Sequence, residues 1–83
     1  MEKETRVAVI GIIVENKESV PELNSILSEF GDCIIGRLGI PYHRKGVSVI
    51  SIAVDAEQDT INTLSGKIGR LDGVYAKTAY GNV

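Results

Sequence analysis

Few residues of this chain are equipped for chemistry, and their spacing is informative mainly for what it leaves out. The 83 residues include one histidine, His43, and one cysteine, Cys33. Structural zinc takes four ligands, commonly Cys and His at close spacing, so this pair reads as a turn histidine and a small buried or edge cysteine, and no metal is expected. A lone cysteine also excludes an internal disulfide and a CxxC redox pair. Ser19, Ser25, Ser28, Ser48, Ser51 and Ser65 lie in no motif that activates a nucleophile. A single histidine beside Arg44 is a poor acid–base catalyst. Asp55, Glu57 and Asp59 pass for paired carboxylates, yet they fall where a helix N-terminus favours negative charge. Gly36, Gly39 and Gly46 make neither GxGxxG nor a Walker loop. No catalytic residue and no cofactor is expected, and the chain reads as a non-enzyme.

Charge narrows the partners. Nine Lys and Arg against eleven Asp and Glu give a net charge of −2, and Arg44-Lys45 is only a doublet, so direct binding to a nucleic-acid backbone is not expected. RNA recognition on an open sheet needs aromatic platforms, but the single Phe is Phe30 and the central strands hold no Tyr. The apolar run Val7–Val14 is far too short to span a bilayer, and the polar start Met1–Arg6 is not a signal peptide. With no leader and no segment for DNA binding expected, the chain reads as one soluble cytoplasmic domain over residues 1–83.

Periodicity supplies the elements. Thr5–Val14, rich in β-branched residues, reads as a buried strand. Glu15–Glu18 is a polar loop, and Ser19-Val20-Pro21-Glu22 carries the marks of a helix start: a capping serine, a proline in the first turn and a glutamate at the capping-box position. Val20, Leu23, Leu27 and Phe30, with Ile26 alongside, form one apolar stripe, and Gly31 reads as its left-handed cap. Cys33–Tyr42, interrupted by Gly36, Gly39 and Pro41, suits an edge strand. His43–Gly46 turns the chain into a third strand, Val47–Val54. Asp55 and Gln58 resemble a second capping box, ahead of a stripe at Ile61, Leu64, Ile68 and Leu71. Within that helix, Gly66 and Gly69 read as allowing a close approach to the sheet or to a neighbour. Asp72-Gly73 leads into a last strand, Val74–Tyr80.

The two helical stripes superpose at an offset of 41, which takes Val20 to Ile61, Leu23 to Leu64 and Leu27 to Ile68. A β-α-β unit used twice predicts an α+β, ferredoxin-like βαββαβ sandwich: a four-stranded antiparallel sheet, order 4-1-3-2, with two helices on one face. The same offset sorts the central strands. It turns Val7, Val9, Gly11, Ile13, Ile50, Ile52 and Val54 toward the helices and leaves Ala8, Ile10, Ile12, Val49, Ser51 and Ala53 on the open face. A solvated sheet face should alternate with polar residues, and this one does not, so those six are expected to form an interface between copies of the chain, as a dimer or tetramer. Stability of roughly 4–12 kcal/mol for a domain this size leaves association worthwhile.

A second site is expected where the first helix begins. Free backbone N–H groups there favour an anion, so Glu15, Asn16 and Ser19 are candidate ligand residues, with Arg37 supplying a cation to the same region in a dimer.

The segments Glu18–Leu23, SILSEFGDCIIGRLGIPY and KGVSVISIAVD resemble the family of iron-only hydrogenase system regulators, over almost the whole chain. Such proteins are ACT-like and similar in fold to the C-terminal domain of the nickel-responsive repressor. The resemblance implies a regulatory, ligand-binding module that acts through a small-molecule effector or a protein partner. It does not carry over nickel sensing, because His43 lacks the His-x-His arrangement. Effector binding of the amino-acid type is not carried over either, because Ser19-Val20-Pro21-Glu22 lacks the glycine usual in that loop. The alternative reading is an accessory or assembly protein that docks on a metalloenzyme partner without any effector.

Overall fold

The computed structural model describes residues 4–82. Four strands, β1 (Arg6–Val14), β2 (Ile34–Tyr42), β3 (Val47–Ala56) and β4 (Val74–Tyr80), and two helices, α1 (Val20–Glu29) and α2 (Gln58–Gly69), follow the order β1-α1-β2-β3-α2-β4. The sheet is antiparallel throughout, with strand order β2-β3-β1-β4. This is the expected ferredoxin-like α+β architecture, and β1 and β3 are the central strands.

One apolar layer holds it together. Leu23 and Leu27 of α1 and Ile61, Leu64 and Ile68 of α2 are buried against Ala8, Ile10, Ile12 and Val14 of β1 and Ile50, Ile52, Val54 and Ala56 of β3. Val20, Ile26 and Phe30 pack partly buried at its margin. Both helices therefore cover the same face of the sheet, and the stripes read from sequence are the ones that do so.

The strand faces need a correction. Ala8, Ile10 and Ile12, expected on the open side, are 1%, 0% and 1% exposed beneath the helices. Val9 and Ile13, expected inward, are exposed. The helices repeat at 41, but the strands repeat at 42: Ala8 is equivalent to Ile50 and Val14 to Ala56. Counted between equivalent positions, the step from Ala56 to Ile61 is one residue shorter than that from Val14 to Val20. In a structure of period two, one residue exchanges the faces. Val49, Ser51 and Ala53 do lie on the open side, since they alternate with buried Ile50 and Ile52.

Several end signals also resolve differently. Gly31 has no positive φ; it opens a short 3-10 turn, Gly31–Cys33. β3 runs on through Asp55 to Ala56, so Glu57, not Asp55, takes the N-cap position of α2. A Cβ at Gly66 or Gly69 would meet nothing within 4 Å, so neither glycine serves a close approach to the sheet. β2 departs from regular pairing at its start. The register shifts between Ile34 and Gly36, a bulge that turns Ile35 outward, and β2 is exposed on both faces from there to Tyr42.

Candidate functional site

The loop expected to take a ligand is a structural joint. Asn16 caps the 3-10 turn Lys17–Ser19 by accepting from the Glu18 N–H at 3.0 Å, and its Nδ2 donates to Asp72 Oδ2 at 2.7 Å. Ser19 occupies the N-cap position of α1, but its hydroxyl makes no capping bond there. The buried Oγ donates instead to the Asp72 carbonyl at 2.6 Å. The Glu15 N–H donates to the Gly73 carbonyl at 2.7 Å. The side chains of Asn16 and Ser19 are thus engaged within the chain. Arg37 is exposed on β2, paired with Ile52, at the sheet edge opposite β4. The loop joins the turn that leads into β4, so a single chain does not bring Arg37 to it.

The remaining chemical groups stay apart. His43 lies in the exposed turn His43–Lys45 at the tip of the β2–β3 hairpin. Cys33 is half-buried; its Sγ donates to the Phe30 carbonyl at 3.2 Å, and burial pushes its thiol pKa up. Among the described residues no group of three or more His, Cys, Asp or Glu is placed to hold a metal. Among the described residues no helix is long and apolar enough to cross a membrane.

What the fold does assemble is an apolar open face. Ile40 pairs with Val49, Val49 with Ile13 and Ile13 with Tyr75, so one cross-strand row runs through β2, β3, β1 and β4 in turn. These four side chains are 51%, 39%, 38% and 57% exposed, so the whole row is available to a partner. Val9, Leu38 and Tyr42 widen the patch. Among the described strand residues that alternate onto this face, Asp55 and Lys77 are the only charged ones, and their charges cancel. Exposed apolar side chains in a contiguous patch, unrelieved by net charge, are the usual mark of an interaction surface.

The next row, Leu38, Ser51, Gly11 and Lys77, lowers the surface at its centre. Gly11 has no side chain and Ser51 a short one, and the taller Ile13, Val49 and Tyr75 stand beside them. A concavity of about 550 Å³ results, whose lining takes in Lys77 and also the inward-facing Ile12, Ile50, Val74 and Ala76 and Gly69 of α2. The sequence reading named Ser51 and Val49 but missed Gly11, Ile13, Tyr75 and Lys77. No local signal marks them, because the face that each strand turns outward is set by register and not by residue type.

Comparison with known proteins points the same way as the fold. The family model described as "TM1266-like: Iron-only hydrogenase system regulator, putative" matches residues 6–78. Among solved structures, the uncharacterized protein TM1266 from Thermotoga maritima is 31% identical, with a TM-score of 0.89 over 93% of this chain and 98% of its own. No curated protein matches.

Proposed function

Since the chain belongs to the TM1266-like family of iron-only hydrogenase system regulators, we propose that it is a non-enzymatic regulatory module of such a system, working as an assembly of its own copies joined through the open sheet face. The apolar row Ile40–Val49–Ile13–Tyr75 carries this reading. Two such faces pack as sheet on sheet, about 10 Å apart with interdigitated side chains. An isologous pair sets a surface against itself, which suits a patch whose two charges cancel and which therefore does not repel its own copy. A strongly charged partner has nothing to answer on this face.

Sedimentation velocity at micromolar concentration tests the reading. The native chain is expected to run as a dimer or larger, and the double variant Ile13→Asp with Val49→Asp as a folded monomer with unchanged far-ultraviolet dichroism. Both substitutions lie on the exposed side, so neither buries a charge in the core. A native chain that sediments as a monomer, or a double variant that still associates, overturns the sheet-mediated assembly.

A further inference from the structure

We infer that the concavity floored by Gly11 and Ser51 is a binding site for a small amphipathic anion, a molecule with an apolar body and one acid group. It deepens the assembly proposed above and rests on that reading for its roof, which a second copy supplies. Its floor and walls belong to one chain.

Three observations converge. The volume, about 550 Å³, lies within the range of sites that hold small molecules, roughly 300–1,000 Å³. The walls that stand above the floor are Ile13, Val49 and Tyr75, which offer aliphatic and aromatic surface to an apolar body. Among the described residues Lys77 is the one cation on the face; it borders the concavity, and its side chain makes no hydrogen bond or ion pair. A lysine stem can lie along apolar surface while its ammonium reaches an acid group. The nearest acidic residue on this face, Asp55, is paired with Val7 at the far end of the strand, whereas Lys77 is paired with Gly11. A neutral apolar ligand leaves Lys77 unused, and a cationic ligand is repelled by it, so the class is anionic.

Gly11 makes the site removable without harm to the fold. Its φ is not positive, and an added Cβ meets only the Lys77 carbonyl at 4.0 Å, an ordinary contact. A valine there suits a strand and fills the floor.

Titration calorimetry with decanoate, kept below its micelle-forming concentration, and with decanol as the uncharged probe, tests the site on the full chain. Saturable decanoate binding is expected in the native protein. Lys77→Met should weaken it about three- to tenfold while leaving decanol unchanged, and Gly11→Val should abolish binding of both. Absence of saturable decanoate binding, or equal binding by a folded Gly11→Val variant, overturns the site. Sedimentation of the same samples separates the two proposals. Gly11-dependent binding by a monomeric chain keeps the site and removes its roof; assembled chains that bind no decanoate remove the site and leave the assembly standing.

Discussion

The Ser19 hydroxyl donates a 2.6 Å hydrogen bond to the carbonyl of Asp72, and with it the start of α1 is fastened to the turn that leads into β4. Asn16 Nδ2 reaches the side chain of the same aspartate at 2.7 Å, and the Glu15 N–H reaches the Gly73 carbonyl. The loop Glu15–Ser19 therefore joins the two β-α-β halves, because β1 leaves through it and β4 enters beside it. Ser19 is also the only buried polar side chain among the described residues, so the donor it spends on Asp72 is not exchanged with water.

Removing that donor should be costly. Ser19→Ala leaves the Asp72 carbonyl without its side-chain partner, and the loss of such a bond costs about 1–3 kcal/mol. Urea denaturation followed by far-ultraviolet dichroism should show a lower midpoint with an unchanged slope. A midpoint equal to that of the native chain would mean that water replaces the hydroxyl and that the joint is weaker than its geometry indicates.

Gly73 should prove the more sensitive of two glycines with the same backbone. Gly46 and Gly73 have φ of +65° and +67°. A Cβ at Gly46 meets open space, whereas at Gly73 it falls 2.6 Å from the Cβ of Asn16 and 3.0 Å from its backbone nitrogen. Gly46→Ala should cost the left-handed penalty alone, about 1–2 kcal/mol. Gly73→Ala adds a clash with the joint itself and should cost at least about 1 kcal/mol more, an overpacking cost, read as the difference between the two urea midpoints. Equal midpoints would show that the Glu15–Asn16 backbone gives way freely.

Cys33 should react slowly. Burial is the larger influence on its thiol and raises the pKa; the acidic neighbour Asp32 adds to the rise, and a backbone hydrogen bond opposes it. A raised pKa means less thiolate at a given pH, and the thiolate is the species that is alkylated. At pH 7.5 iodoacetamide should modify Cys33 in the folded chain several-fold more slowly than in urea, and the folded-state rate should still be climbing at a pH where the unfolded rate has levelled off. A folded chain that alkylates as fast as the unfolded one would contradict the burial.

The sequence made the helices legible more readily than the strands, for a physical reason. Leu23, Leu27, Ile61, Leu64 and Ile68 declare their face because a helix gives each apolar residue partners three and four positions away, and the polar residues between them mark the other side. Ala8–Val14 and Val47–Val54 are apolar on both faces, so alternation is absent and only register chooses between them. Register depends on the length of the connection, which side-chain type does not reveal. Of the six residues expected on the open face, Val49, Ser51 and Ala53 lie there, whereas Ala8, Ile10 and Ile12 belong to the core and Val7, Val9, Gly11 and Ile13 take the outward side of β1. The bonds of Asn16 and Ser19 were hidden for a different reason: their partner, Asp72, is more than fifty residues away in sequence. Nothing local announces a long-range joint.

The corrected faces make a sharp prediction for two neighbouring isoleucines. Ile12 is 1% exposed and Ile13 38% exposed, on opposite sides of β1. Ile12→Ala opens a cavity beneath the helices and should cost about 2–5 kcal/mol, whereas Ile13→Ala removes a surface contact. Measured by urea denaturation at nanomolar concentration, where association contributes least, Ile13→Ala should change stability by less than about 1 kcal/mol. Raising the concentration then separates the folding role from the pairing role. If copies pair through this face, the native chain gains stability with concentration and Ile13→Ala gains less, while Ile12→Ala keeps its deficit throughout. A larger loss for Ile13 than for Ile12 at nanomolar concentration would return β1 to the face that the 41-residue offset first gave it.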